Sequence, residues 1–287
     1  TSYQEVQVGA TVATNATGAD TFKYGPTRRY VQEMDVFCVD GRMRHLSRAR
    51  KLPRSLIKNT AGYFLGGEEI DEVIGSEGTL CLIESVTLKL LKGVKPHVFL
   101  LMLPFSDFEK CLKAVPLIEQ LEHKPRALEL VGPGAIDYFV RCPSCPAELK
   151  SEKCFLMIKD EYVDETDFDS TLTHWFDRLM PIYAEVNDAV ALDRAFLAKT
   201  DQQLDAIREC RHDIPAKINE EYLAYDDVGG GKVGTDWWVP LDRLVETMMQ
   251  TYSESLSLKI PFQVYAHIGN GHPHWNFLTK TADEKKL

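Results

Sequence analysis

The sequence predicts a layered α+β or α/β protein in two parts, and three observations predict it. Residues 1–93 are rich in Gly, Thr, Ala and Val, with short β-branched stretches broken by tight turns. After Lys95-Pro96 the texture changes to strand-like and helix-like segments in alternation, which favours a layered structure over a helical bundle. At 287 residues the chain also has room for two modest domains. We place the boundary at residues 93–96, giving domains of 1–93 and 94–287.

The first part opens with Val8-Gly9-Ala10-Thr11-Val12-Ala13-Thr14-Asn15-Ala16-Thr17-Gly18, a run of small residues. Small side chains let a ligand approach the main chain, whose N–H groups can hold an anionic group. A β-turn among small neighbours is the plainer alternative. Residues 31–39 read as a strand that ends at Asp40-Gly41, a strong turn signal. The basic Arg42, Arg44, Arg48, Arg50, Lys51 and Arg54 lack interleaved aromatics and read as a solvated face. A second glycine loop, Gly75-Ser76-Glu77-Gly78-Thr79-Leu80, leads into alternating, strand-like residues 79–91.

In the second part, residues 98–103 form an apolar strand. Ser106 then caps an amphipathic helix reaching residue 121, with Phe108, Cys111, Leu112, Val115 and Ile118 on one face. A strand at 127–131, a short helix at 135–140 and a strand at 154–158 follow. A long helix spans 164–180, with Phe168, Leu172, Trp175, Phe176 and Leu179 as its apolar residues. The remaining elements are a helix at 202–211, a strand at 237–239, a helix at 241–256 and a strand at 262–268.

Composition narrows the function. An apolar content of 44% and a charged content of 26% allow a buried core. The formal net charge of −10 argues against nucleic acid as a partner. No apolar run approaches a membrane span, and no charged segment followed by an apolar one marks a signal peptide. Seven scattered cysteines do not form a disulfide framework, so the cytoplasm is the expected compartment, with peripheral membrane association left open. Cys142-Pro143-Ser144-Cys145 lacks a second ligand pair and reads as a redox-inert surface loop. Gly229, Gly231 and Gly234 match a dinucleotide-motif spacing, but Asp226-Asp227 precede them where a buried strand is required. No nicotinamide site is expected there.

Three of the eight histidines lie in the segment 265–277. A strand runs into Gly269-Asn270-Gly271 and out again, so His272 and His274 share a face by the two-residue period. Folding back brings His267 near His274. Imidazoles converging from adjoining strand ends suit zinc or a similar divalent ion. Polar residues at a strand end are the alternative.

These motifs together resemble a known family. The run Gly9–Gly18, then Tyr24-Gly25, Arg28, residues 36–41, Asn59-Thr60-Ala61-Gly62-Tyr63 and finally residues 75–80 is similar, in order, to the second half of the FAD-binding domain of vanillyl-alcohol-oxidase (PCMH-type) flavoproteins. The resemblance implies FAD contacts at Gly9, Thr11, Asn15, Gly18, Gly75, Glu77, Gly78 and Ile83. Val8 and Cys81 stand where the family usually has glycines. The segment 265–277 resembles the histidine-rich motif of the D-2-hydroxy-acid dehydrogenase C-terminal domain, which implies metal binding by His267 and His274 and substrate contact by Asn276. Asn270 replaces the usual aspartate there and His272 the usual asparagine. Ile207-Arg208-Glu209 is similar to the segment whose arginine binds the substrate carboxylate, work that suits a planar guanidinium. A helix-surface arginine paired with a neighbour is the alternative for Arg208, and Lys232 is a further candidate cation.

The fold implied is the second half of an FAD-binding domain followed by a ferredoxin-like α+β FAD-linked oxidase C-terminal domain. The activity implied is oxidation of a D-2-hydroxy acid (D-lactate, glycolate or D-2-hydroxyglutarate) by hydride transfer to flavin. Electrons would leave to an acceptor protein or quinone, and a homodimer is compatible with the family. Two other readings stay open: a flavin oxidase of a sugar or alcohol, and a non-catalytic fragment or subunit. The family's first flavin half-domain and its later Glu-His-Gly motif have no counterpart here, so the expectation is a chain incomplete at both ends.

Overall fold

A computed structural model describes residues 6–50, 52, 62–93 and 96–287. Asn59, Thr60 and Ala61, with Lys51 and Arg54, lie outside the described residues. The chain divides into two compact units, Thr1–Lys95 and Pro96–Leu287.

The first unit contains α1 (Val8–Ala13), α2 (Thr21–Tyr24), β1 (Val31–Cys38), β2 (Met43–Ser47), α3 (Glu69–Val73) and β3 (Cys81–Leu88). β1 lies between β2 and β3, antiparallel to both. Its inward residues Val31, Met34 and Val36 pack with Val12 of α1 and Ile70 of α3. The small-residue run is therefore a short helix at its start, where a loop was expected. Its buried Val12 anchors it, and the Thr11 and Thr14 hydroxyls donate to the carbonyls of Gln7 and Ala10, four residues back. Of the basic run, Arg42, Arg44 and Arg50 are exposed as expected, whereas the Arg48 side chain is nearly inaccessible beside Asp71, with Nη2–Oδ1 at 2.7 Å.

The second unit contains, in order, β4 (His97–Pro104), α4 (Phe108–Glu119), β5 (Ala127–Val131), α5 (Ala135–Arg141), β6 (Phe155–Tyr162), α6 (Glu165–Glu185), α7 (Ala189–Leu192) and β7 (Phe196–Ala198). There follow α8 (Asp201–Leu223), β8 (Gly231–Asp236), α9 (Leu241–Leu258), β9 (Phe262–His267) and β10 (His272–Thr279). They build one seven-stranded sheet of order β7-β4-β6-β5-β9-β10-β8, with every neighbouring pair antiparallel. The order β7-β4-β6-β5 is ferredoxin-like: β4 and β5 flank β6, and β7 returns beside β4. β9, β10 and β8 extend that core.

The two-residue period divides each strand between two faces. Met102, Val131, Phe155, Met157 and Tyr265 pack beneath α5 and α8, against Phe139, Ile207, Cys210, Ile214 and Ile218. On the opposite face Phe99 meets Phe168 of α6 edge-on, and Asp160 accepts the indole N–H of Trp175 at 2.9 Å. The sheet is thus covered on both sides.

Several local expectations change. Asp107, one residue after Ser106, caps α4, accepting the Lys110 N–H at 2.9 Å. α8 continues past Pro215 to Leu223, because Ile214, Ile218 and Tyr222 keep its apolar stripe on the sheet. The strand expected at 237–239 lies instead at Gly231–Asp236. The glycines that disguise it permit close packing: a Cβ at Gly230 would stand 2.4 Å from the Thr279 carbonyl oxygen. Cys142 and Cys145 are buried with Cys210 under α8, where a surface loop was expected, and burial pushes the Cys145 and Cys210 thiols up. All seven cysteines are free thiols.

Candidate functional site

Antiparallel pairing gathers the histidines. Across β9 and β10, His272 stands opposite His267 and His274 opposite Tyr265. On the other side of β10, His274 stands opposite Asp236 of β8. Directly opposed residues share a face, so Asp236, Tyr265, His267, His272 and His274 project together. The turn between β9 and β10 closes at Gly271, with φ of +65°. A Cβ there would lie 2.0 Å from the Val239 carbonyl oxygen, so the chain can pass only with glycine.

Ring centroids separate by 4.6 Å between His272 and His274, 5.5 Å between His267 and His274, and 5.8 Å between His267 and His272. Asp236 Oδ1 lies 3.1 Å from His274 Nδ1 and also contacts His272 Nε2. One ligand atom from each of Asp236, His272 and His274 lies within 4.8 Å of the others. Hydrogen bonds from His272 and His274 hold the Asp236 carboxyl far below the usual carboxylate range. Burial, with help from His272 and His267, pushes His274 down despite Asp236, which favours the neutral imidazole that metal ligation requires.

A second carboxylate enters from the next strand. Glu129 of β5 places Oε1 2.6 Å from His267 Nδ1 and Oε2 3.2 Å from Arg211 Nη2 of α8. The Arg211 guanidinium lies 4.8 Å from the Tyr265 ring centroid. Burial alone would raise the Glu129 pKa, but His267, Arg211 and His274 outweigh it and bring it below the usual value. Two buried donors, Arg211 Nε and Asn276 Nδ2, have no hydrogen-bond partner among the described residues, an arrangement suited to an incoming anion.

The structure therefore brings His267, His274 and Asn276 onto one sheet region. Arg208 is 62% exposed and pairs with Asp205 one turn earlier on α8. Lys232 of β8 donates to Asn219 Oδ1 at 3.1 Å, and burial lowers its pKa. Sequence reasoning missed Glu129, Arg211, Tyr265 and Asp236. A signal existed for two of them. Glu129 is the one charge within the apolar run Ala127–Val131, and Arg211 lies four residues after Ile207 on the apolar stripe of its helix.

In the first unit, Gly9 and Thr11 lie on α1, and Ile83 lies on β3. A Cβ at Gly9 would approach the Ile83 carbonyl oxygen at 3.9 Å. The Gly75 and Glu77 N–H groups donate to the Val12 and Ala13 carbonyls at 3.1 and 2.9 Å, tying the second glycine loop to the end of α1. Asn15 there has φ of 43°, and its Oδ1 accepts the Arg28 N–H at 3.0 Å. Among the described residues, nothing stands within 4 Å of where a Cβ would be at Gly18 and Gly78.

Comparison with known proteins adds a family. The family described as "FAD linked oxidases, C-terminal domain" matches residues 95–287. A D-lactate dehydrogenase of Anaerostipes hadrus is 29% identical over 273 residues, covering 93% of this chain and 52% of that protein. A D-2-hydroxyglutarate dehydrogenase of Stutzerimonas stutzeri is 24% identical over 286 residues, covering 97% of the chain and 54% of that protein. The solved structure of an alkyldihydroxyacetonephosphate synthase shares the fold with a TM-score of 0.61 at 18% identity, over 97% of this chain and 51% of that one. The chain spans about half the length of these relatives.

Proposed function

Since the chain belongs to the FAD-linked oxidases through their C-terminal domain, we propose that it forms part of an FAD-dependent dehydrogenase oxidising a D-2-hydroxy acid of the lactate, glycolate or 2-hydroxyglutarate type. In this reading residues 1–93 contribute part of the FAD-binding domain and residues 94–287 the substrate domain. The observation that carries it is the sheet face on which Asp236, His267, His272 and His274 meet the buried Glu129 and Arg211. The names borne by its relatives, D-lactate and D-2-hydroxyglutarate dehydrogenases, support the substrate class.

The residues present fit FAD. Among the described residues nothing crowds the position of a Cβ at Gly78, which leaves its main chain open to a ligand, and Gly9, Thr11, Asn15, Gly18, Gly75, Glu77 and Ile83 are the further candidate contacts. When bound, flavin supplies the two-electron oxidant that takes hydride from the substrate. They also fit a zinc-like ion, because two imidazole nitrogens and a carboxylate within 4.8 Å are a donor set such ions accept, with His267 as a neighbouring ligand. A bound ion supplies Lewis acidity to the substrate hydroxyl.

The chain's own groups bind and orient. The substrate carboxylate needs a guanidinium; Arg208 is the family's match, and the geometry favours Arg211, whose Nε lacks an acceptor. Asn276 Nδ2 offers a second donor. Tyr265 lies against the Arg211 guanidinium and fixes its plane. Electrons pass on to an acceptor protein or a quinone.

The test uses the whole protein with FAD, zinc and an artificial dye acceptor. D-lactate, glycolate or D-2-hydroxyglutarate is expected to reduce the dye, and His274→Ala to abolish the reaction. Turnover of a sugar or simple alcohol in place of these acids, with no response to added metal, would sink the proposal.

A further inference from the structure

We infer that Glu129 is the positioning residue of this site, one carboxylate that fixes the tautomer of His267 and the placement of the Arg211 guanidinium together. The inference rests on reading this face as a metal and substrate site, and deepens it by naming what aligns the two halves. Glu129 is 7% exposed and is the single charged residue of a strand whose other members are Ala127, Leu128, Leu130 and Val131. A carboxylate is expensive in such surroundings unless its oxygens are engaged. Here each oxygen has its own partner: Oε1 is 2.6 Å from His267 Nδ1, and Oε2 is 3.2 Å from Arg211 Nη2.

The consequence for His267 is chemical. With Nδ1–H donated to Glu129, the neutral ring carries its lone pair on Nε2, the nitrogen left for a ligand. The ring lies 5.5 and 5.8 Å from those of His274 and His272. The consequence for Arg211 is geometric. Its Nη2 is tethered to Glu129 and its plane rests near Tyr265, while Nε is left without an acceptor. Removing the carboxylate frees ring and guanidinium at once, which no change at either partner alone would do.

The experiment reads the tautomer without metal. In the full chain, metal-free at a pH well above the ordinary histidine value of about 6.5, the imidazole 15N shifts of His267 are assigned by their loss in His267→Asn. The wild type is expected to carry its proton on Nδ1. Glu129→Ala is expected to move it to Nε2, and Glu129→Gln, whose carbonyl oxygen still accepts, to retain it on Nδ1. Titration with zinc alone is expected to show affinity about 10- to 100-fold weaker in Glu129→Ala and a smaller loss in Glu129→Gln. A wild-type His267 protonated on Nε2 overturns the inference whether or not Glu129→Ala folds. Equal zinc affinity in the wild type and a folded Glu129→Ala overturns it as well. If the wild type binds no zinc, the metal reading falls, and the tautomer still decides the role of Glu129.

Discussion

Two arginines three positions apart on α8 show how sharply a helix sorts its side chains. The stripe Leu204, Ile207, Cys210, Ile214 and Ile218 faces the sheet, and Arg211 lies beside it, reaching Glu129 and Tyr265. Arg208 points away and pairs with Asp205, both mostly exposed. Alignment to a family motif selects Arg208, whereas helical periodicity selects Arg211. The two predict different kinetics. A charge-assisted hydrogen bond to a substrate carboxylate contributes about 1.5–3 kcal/mol, so Arg211→Ala is expected to lower kcat/KM for the hydroxy acid by about tenfold to a hundredfold. Arg208→Ala breaks only a surface pair, and its kinetics should match the wild type within error. Steady-state kinetics on the two variants check this, and the reverse ranking would restore Arg208 to the site.

At the scale of elements, the β9–β10 hairpin is where the sequence is most legible. The alternation of His272 and His274, and the Gly-Asn-Gly turn after His267, were enough to anticipate a shared face. They could not reveal that β8 and β5 would bring Asp236 and Glu129, because those contacts span 38 and 138 residues. β8 itself was hidden by glycines, which weaken a strand signal and here permit close packing on β10. The same lack of side chain governs the turn. Gly271→Ala forces a left-handed conformation costing about 1–2 kcal/mol, and drives a methyl towards the Val239 carbonyl oxygen 2.0 Å away. The melting temperature should fall by at least about 2–8 °C, and zinc affinity should weaken because His267 and His272 flank the turn. A thermal melt and a zinc titration measure both, and unchanged values in both would show that the turn has another solution.

At the scale of the whole molecule, texture alone pointed to an α+β or α/β layer and the family resemblance to α+β, whereas the way the first unit buries charge was not readable. Arg28 and Arg48 converge on Asp71 from 43 and 23 residues away, with N–O distances of 3.0 and 2.7 Å, and all three side chains are nearly inaccessible. No local pattern announces such a triad, and the run containing Arg48 looked like a solvated face. Burial alone would raise the Asp71 pKa, but hydrogen bonds and charge from Arg48 and Arg28 outweigh it, and the pKa is lowered. A carboxyl depressed in the folded state contributes stability that is present above its unfolded value of about 3.9, and that is lost as pH falls through the folded value. The first unit should therefore lose stability as pH drops below about 4. Asp71→Asn leaves two buried guanidinium groups without their counter-charge, and should cost about 3–5 kcal/mol at neutral pH. It should also flatten the acid limb, since the group that titrates is gone. Urea unfolding of the wild type and Asp71→Asn at pH 7 and at mildly acidic pH tests both statements. Equal stability at pH 7 would mean that the triad adds nothing to the fold, whereas a variant that kept the full wild-type acid dependence would place that dependence on other carboxylates.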